Sequence, residues 1–306
     1  MEASISLKNV SKRLKDRYVI SNVTFGVEKG SIFGLLGRSG AGKSSLMRLL
    51  ASIWLNNGGK IYIKGQENLT GELRKNIGYL PQHDMHDPWL TGRENLTRRI
   101  MVLGMDPREM ESKVEHLIVN FGLENYIDDY VVNYPAGVRR KLDIVQVLIG
   151  TPDVLLLDEP LINLDYVTSY QFMKEIIRLK KECSTTVVIA SNSVTSLTAV
   201  CDRWVVLDRG KVVFDGDWNK FEEAGELPYA CEFRVSSSAS VPVMDRLKGE
   251  IMSCDIEGDY YRIKFRSPAG FKRLIEEVGL DRIVQLKAEM VDFENFFRTI
   301  GTDDIF

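Results

Sequence analysis

Ser31-Ile32-Phe33-Gly34-Leu35-Leu36-Gly37-Arg38-Ser39-Gly40-Ala41-Gly42-Lys43-Ser44-Ser45 is the stretch on which the fold turns. Its apolar start fits a strand buried on both faces. That run passes directly into Gly-x-x-x-x-Gly-Lys-Ser, and a helix is expected from Ser45 to Ala51. Glycines let the backbone curl until successive N–H groups point inward at phosphate oxygens. The helix N-terminus adds a partial positive charge. Gly37, Arg38, Ser39, Gly40, Ala41, Gly42, Lys43, Ser44 and Ser45 are therefore the candidate phosphate-binding set. Within it Lys43 would reach the β- and γ-phosphates of a nucleotide, and Ser44 would offer its hydroxyl to Mg2+. Arg38 fills a permissive variable position. The bland alternative, a glycine-rich turn with no ligand, is disfavoured by the strand before it and the helix after it.

Further along, Val154-Leu155-Leu156-Leu157-Asp158-Glu159 supplies a complement, an apolar strand that ends in two carboxylates. A strand ending at the ligand edge of a parallel sheet would deliver Asp158 to the metal. Glu159 would then orient or deprotonate an attacking water. Taken alone this pair could be a solvated acidic cap on a buried strand; the phosphate loop upstream shifts the balance toward a nucleotide site.

Around these motifs the pattern alternates between strand and helix. Ile5–Val10 and Val23–Val27 alternate at a period of two, which suggests an antiparallel edge sheet. Lys60–Lys64, Ile77–Leu80, Thr186–Ala190 and Trp204–Leu207 are short strand candidates. Thr91–Phe121 carries apolar residues at helical spacing, broken at Gly104-Met105-Asp106-Pro107, and forms a helical insert. Arg139–Ile149 and Tyr166–Lys181 are further helices. Strands alternating with helices imply a mainly parallel sheet covered on both faces. Composition changes near Leu227-Pro228; beyond it strands are expected at 232–235, 252–256 and 260–265, helices at 241–248 and 270–278, and a loop at 236–238. The organisation is thus α/β over residues 1–225, with a helical subdomain at about 83–150, followed by a small α+β domain over residues 229–306.

Composition narrows the function classes. With 306 residues, 44% hydrophobic and 27% charged, the chain can bury a sizeable core. A net charge of −3 asks for no nucleic acid, and no basic cluster suggests one. The four cysteines, Cys183, Cys201, Cys231 and Cys254, lie far apart, with neither a zinc-ligand spacing nor a disulfide framework. Met1–Val10 lacks the form of a signal peptide, and no apolar stretch approaches the roughly 20 residues that span a bilayer. A soluble chain that serves a membrane from the side is the expectation. His83-Asp84-Met85-His86-Asp87 is weighed as a metal site and set aside in favour of a solvated loop. The tryptophans at 54, 89, 204 and 218 are expected in the core or at interfaces.

Over residues 1 to about 225 these motifs in order resemble the nucleotide-binding subunits of ABC transporters, which are P-loop ATPases. Tyr79-Leu80-Pro81-Gln82 is similar to the family's Q-loop, where Gln82 would sense Mg2+ or water and face a membrane partner. Trp89-Leu90-Thr91-Gly92-Arg93-Glu94-Asn95-Leu96 matches the start of the helical subdomain. Arg139-Arg140-Lys141-Leu142-Asp143, Leu157-Asp158-Glu159-Pro160 and Cys201-Asp202-Arg203 match as well. The end, Asp292 to Gly301, resembles the closing helix of subunits that serve exporters with separate permeases. The resemblance implies ATP and Mg2+ as ligands, ATP hydrolysis, a transmembrane permease and a second ATPase subunit as partners, and residence at the cytoplasmic face of the membrane.

Departures from the family pattern qualify this. Its signature loop, roughly Leu-Ser-Gly-Gly-Gln, is Tyr134-Pro135-Ala136-Gly137-Val138 here. In the family this loop closes over the nucleotide of the opposite subunit. Pro135 brings neither hydroxyl nor N–H, and Ala136 restricts a backbone that glycine leaves free. The switch histidine falls on Asn192, which donates a hydrogen bond but carries no charge. Only the end of the D-loop survives in Ile162-Asn163-Leu164-Asp165. The adenine-stacking aromatic aligns near Leu14, with Tyr18 nearby but out of register. Glu159, Gln82 and Asn192 are the candidate catalytic residues, and Ser44, Gln82 and Asp158 the candidate Mg2+ ligands. Binding should survive while hydrolysis is slowed. The expected arrangement is one half of an asymmetric pair; the alternative is a nucleotide-gated regulatory subunit that hydrolyses poorly.

Overall fold

The computed structural model describes residues 3–68, 76–192, 200–217, 220, 229–235, 249, 251–265, 273–274 and 283–289. Packing divides the chain into two compact units, Met1–Asp217 and Trp218–Phe306.

In the first unit, β1 (Ala3–Leu14) and β2 (Arg17–Glu28) pair antiparallel, with β4 (Gly58–Ile63) and β5 (Gln66–Glu67) completing a four-stranded sheet of order β2-β1-β4-β5. Ile5, Leu7, Val23, Phe25 and Val27 turn inward, as the period of two requires. Both strands run longer than their alternation suggested, because β-bulge register shifts interrupt the pattern without ending the pairing.

A six-stranded sheet carries the site. It is built from β3 (Ile32–Leu36), β6 (Ile77–Leu80), β7 (Val154–Asp158), β8 (Thr186–Ser191), β9 (Arg203–Asp208) and β10 (Lys211–Gly216), in the order β10-β9-β3-β8-β7-β6. All neighbours run parallel except the β9–β10 hairpin. Strands β3, β7 and β8 are buried along their whole length, hence their unbroken apolar runs. Strand β10 was not anticipated; its half-exposed Lys-Val-Val-Phe-Asp-Gly has no clean alternation. Asp202 explains why Cys-Asp-Arg matters. Its carboxylate accepts from the Ile32 N–H at 2.7 Å, and its own N–H donates to the Ile32 carbonyl at 2.8 Å, fixing the start of the phosphate-loop strand. Beneath, the Trp204 ring lies so close to Gly34 that a Cβ there would come within 2.5 Å of it. Trp204 is core, whereas Trp89 is largely exposed.

Helix α1 (Lys43–Leu50) follows the phosphate loop, beginning two residues earlier than its sequence pattern indicated. The helical insert forms α2 (Gly92–Val102) and α3 (Pro107–Asn120), divided where expected. Thr91 and Glu94 form a reciprocal capping box on α2. Asp106 caps α3, with Pro107 in its first turn. Helix α4 spans Ala136–Leu148 and α5 spans Tyr166–Cys183. The start of α4 corrects the expectation of Arg139: Pro135 sits at the N-cap, where its missing N–H costs nothing, so Ala136, Gly137 and Val138 already belong to the helix. Among the described residues no helix is long and apolar enough to cross a membrane.

The second unit is an antiparallel sheet of β11 (Tyr229–Val235), β12 (Ile251–Glu257), β13 (Tyr260–Phe265) and β14 (Ile283–Glu289), ordered β12-β13-β11-β14. Tyr261, Ile263, Phe265 and Leu274 are its buried side chains among the described residues. Strand β14 was not foreseen. The composition change at 227–228, the helix expected at 241–248, the loop at 236–238, Trp218 and the closing stretch 292–301 lie outside the described residues; of the helix expected at 270–278, residues 273–274 are described and both are helical.

Candidate functional site

A cleft of about 650 Å³ opens at the carboxyl ends of β3 and β7. Its walls are the phosphate loop from Arg38 to Ser45, with Gln82, Glu159 and Asn192. Strands β3 and β7 are not neighbours; β8 lies between them, and the loops after β3 and β7 meet over its end. Lys43 Nζ stands 3.7 Å from Glu159 Oε1. It also donates to the carbonyls of Gly37 at 2.7 Å and Arg38 at 3.3 Å, so the loop wraps its own lysine. Gly42, at φ 110°, makes that curl; a Cβ there would press within 2.8 Å of the Val19 carbonyl.

The acidic pair behaves as two different groups. Asp158 is 1% exposed, and its Oδ1 has no hydrogen-bond partner. Burial lifts its carboxyl above the usual range, against a hydrogen bond from the Ser44 side chain and the charge of Lys43. A buried carboxylate oxygen without a donor, beside a hydroxyl, fits a hard divalent cation such as Mg2+. Glu159 faces the cleft with φ 48°, an uncommon left-handed backbone for a side-chain-bearing residue. Its N–H donates to the Ala190 carbonyl at 2.9 Å. Burial raises its carboxyl, opposed by Lys43 and by donors from the Asn192 backbone and the Ser191 hydroxyl, while Asp158 adds to the rise. Burial likewise holds the Lys43 ammonium below its usual range, with Glu159 and Asp158 pulling it back. Every sequence-identified residue of the phosphate loop except Gly37 lines the cleft; the Gly37 carbonyl still contacts Lys43.

Three features were not legible in the sequence. Tyr18 lines the cleft and Leu14 does not, because β1 and β2 turn at Leu14–Arg17 and the chain returns toward the phosphate loop from Arg17 on. Arg17, Asp208 and Arg209 join it there. Second, the loop after Gln82 is not simply solvated, as the sequence had suggested: the His86 side chain is 3% exposed and its Nδ1 lies 2.9 Å from Asp143 Oδ1 on α4. Asp84, His86 and Asp143 bring donor atoms within 4.8 Å of one another. Arg139 sits 3.6 Å from Asp84, and Arg140 interacts with Asp143, so the carboxylates already have cationic neighbours and form a polar network. Third, Arg140 itself is buried and bonds to backbone around the site.

Residues 20–162 match the family model described as ABC transporter. The chain is similar to the ABC transporter ATP-binding protein NatA of Bacillus subtilis, at 30% identity over 69% of this chain and 89% of that one. It is also similar to the Nod factor export ATP-binding protein I of Rhizobium sp. strain N33, at 32% identity over 92% of this chain and 96% of that one. Among solved structures, the ATP-binding subunit of an ABC transporter superposes with a TM-score of 0.67 at 24% identity, over 72% of this chain and 92% of that one. A dimeric ATP-binding cassette with ADP and phosphate gives a TM-score of 0.65 at 23% identity, over 70% of this chain and 98% of that one. Both likenesses are of fold.

Proposed function

The chain belongs to the ABC transporter family, and from that premise we propose that it is the ATP-binding and ATP-hydrolysing subunit that drives a separate membrane permease. It works at the cytoplasmic face of the membrane, held there through the permease, and it pairs with a second ATP-binding subunit. The observation that carries this is the 3.7 Å approach of Lys43 to Glu159 at one cleft. Backbone N–H groups of the phosphate loop and Lys43 bind the triphosphate. Ser44, Asp158 and Gln82 would hold Mg2+, which supplies charge neutralisation on the β- and γ-oxygens. Glu159 orients the attacking water and accepts its proton; burial lifts its carboxyl above the usual range, which makes it a stronger base than an exposed glutamate. Asn192, at the same cleft, donates to the nucleotide's terminal phosphate without carrying charge. Relatives named for Nod factor export that match over 92% of this chain support the export direction.

Tyr18 offers a ring at the mouth of the cleft for the adenine. Tyr18→Ala is expected to weaken ATP affinity by about 1–3 kcal/mol, the range for one base on one aromatic. Titration with a fluorescent ATP analogue checks it; Leu14→Ala should leave the affinity unchanged.

The pairing is asymmetric. Pro135 at the N-cap of α4 makes no side-chain hydrogen bond, and Ala136 stands where glycine would be freer. A partner with an ordinary closing loop would complete the site of Lys43 and Glu159, while the partner's own nucleotide would meet Pro135-Ala136-Gly137 and turn over slowly. Restoring Pro135→Ser with Ala136→Gly should raise hydrolysis at that slow site by about 10²-fold, the usual worth of one well-aimed donor. Single-turnover hydrolysis by the assembled complex measures it; ordinary turnover by the unaltered chain on its own would contradict the asymmetry. The same departures favour a second reading, a regulatory subunit that binds ATP and clamps its partner with little hydrolysis.

A further inference from the structure

Helix α4 reaches back from the Pro135–Gly137 turn to the carboxyl ends of β6 and β7, and one of its side chains is built into the backbone there. Arg140 is 5% exposed. Its Nη1 donates to the Pro81 carbonyl at 2.7 Å, and its Nη2 to the carbonyls of Glu159 at 3.0 Å and Asp158 at 3.3 Å. Its Nε donates to the Pro160 carbonyl at 3.4 Å. The acceptors of these hydrogen bonds are all peptide carbonyls, while the charges of Asp143, Asp158 and Asp84 act on the guanidinium from nearby. A buried guanidinium is costly unless its donors are filled, and here its planar fork spans two separate segments at once.

Those segments carry Gln82 and Glu159. Pro81 immediately precedes Gln82, and one turn along α4 Asp143 holds the other side of that loop. Asp143 Oδ1 accepts from the Met85 N–H at 3.3 Å and contacts His86 Nδ1 at 2.9 Å. Positions 140 and 143 lie on one face of the helix, so Gln82 sits between two attachments to α4. Glu159 is held equally firmly: its N–H is bound by the Ala190 carbonyl and its own carbonyl by Arg140. A left-handed, side-chain-bearing residue keeps such a backbone only where its surroundings over-determine it.

We propose that Arg140 is a positioning residue for hydrolysis, which fixes the backbone at Gln82 and Glu159 and makes the pose of both depend on α4. Because the Pro135–Gly137 turn begins the same helix, a displacement of that turn reaches Glu159 through Arg140. This rests on the hydrolytic reading above.

Arg140→Lys keeps the positive charge but replaces the fork with a single ammonium that cannot span both segments. Hydrogen exchange of the full chain should then quicken about tenfold or more at the amides of Glu159 and of Ile162, whose N–H donates to the Glu159 carbonyl at 3.4 Å, with β3 and β8 unchanged. In the complex with permease and partner subunit, kcat should fall about 10²-fold, as for a misplaced catalytic group, while the affinity for ATP with Mg2+ stays within about threefold. Exchange that quickens across every core strand, a variant that does not fold, or unchanged exchange at Glu159 and Ile162 would each overturn the proposal. If the unaltered complex does not hydrolyse ATP, the hydrolytic reading fails, and the exchange measurement still judges whether Arg140 holds Glu159.

Discussion

Lys43→Ala is expected to abolish tight binding of ATP with Mg2+, lowering the affinity by about 10²-fold or more and removing hydrolysis with it. Truncating one partner of a buried, hydrogen-bonded charge pair costs roughly 2–5 kcal/mol, and each 1.4 kcal/mol is about tenfold in affinity. Lys43 is such a partner, 7% exposed and enclosed by the carbonyls of its own loop. The same variant reports on the free protein. Lys43 opposes the upward shift that burial imposes on Asp158 and Glu159, so its loss raises both carboxyls further. A carboxyl raised on folding binds more protons folded than unfolded, and stability then falls as pH rises through the window between the two values. Lys43→Ala should therefore lose more melting temperature near neutral pH than at pH values low enough to protonate the carboxyls. Equilibrium dialysis and thermal melts at several pH values test the two parts. Unchanged nucleotide affinity would remove the triphosphate from this cleft.

Glu159→Gln should stop turnover while leaving ATP bound. The amide is nearly isosteric with the carboxyl, so the left-handed backbone and its bonds to Ala190 and Arg140 remain. What disappears is the group that accepts the proton of the attacking water, a contribution of about 10²–10⁴-fold. The variant also removes a negative charge 3.7 Å from Lys43, one competitor with phosphate oxygens for that lysine. Single-turnover hydrolysis and ATP affinity, measured together in the assembled complex, decide between the two functional readings. Turnover that collapses with affinity retained supports the motor; turnover that was slight and stays the same supports the regulatory subunit.

The asymmetric pair and Arg140 bear on one another. Under the proposed pairing the catalytic group of this chain in a partner-completed site would be Glu159, whose backbone Arg140 bonds to α4. Pro135 brings neither hydroxyl nor N–H and Ala136 restricts the backbone, yet a helix follows directly, with Gly137 packed so near the Asn163 carbonyl that a Cβ would lie 3.0 Å away. Under that proposal, the closing turn and the pose of Glu159 would both be carried by α4.

The phosphate loop, the acidic pair, the alternation of strand and helix and the break at Gly104–Pro107 could all be read from the chain. Each depends on short-range rules: glycine for a tight curl, a capped helix start, and an apolar run that must be buried on both faces. From residue types and their spacing alone, the phosphate-binding loop and the carboxylate-tipped strand were both evident. Only the tertiary structure decided that β8 separates their strands, that Tyr18 rather than Leu14 returns to the cleft, and that His86 is buried against Asp143. It also decided that Arg140 ends among the carbonyls of Pro81, Asp158, Glu159 and Pro160. The physical reason is that a carbonyl oxygen belongs to every residue alike. A side chain that bonds backbone across a long separation leaves no mark on the identity of its partners, and its role appears only when packing brings the segments together.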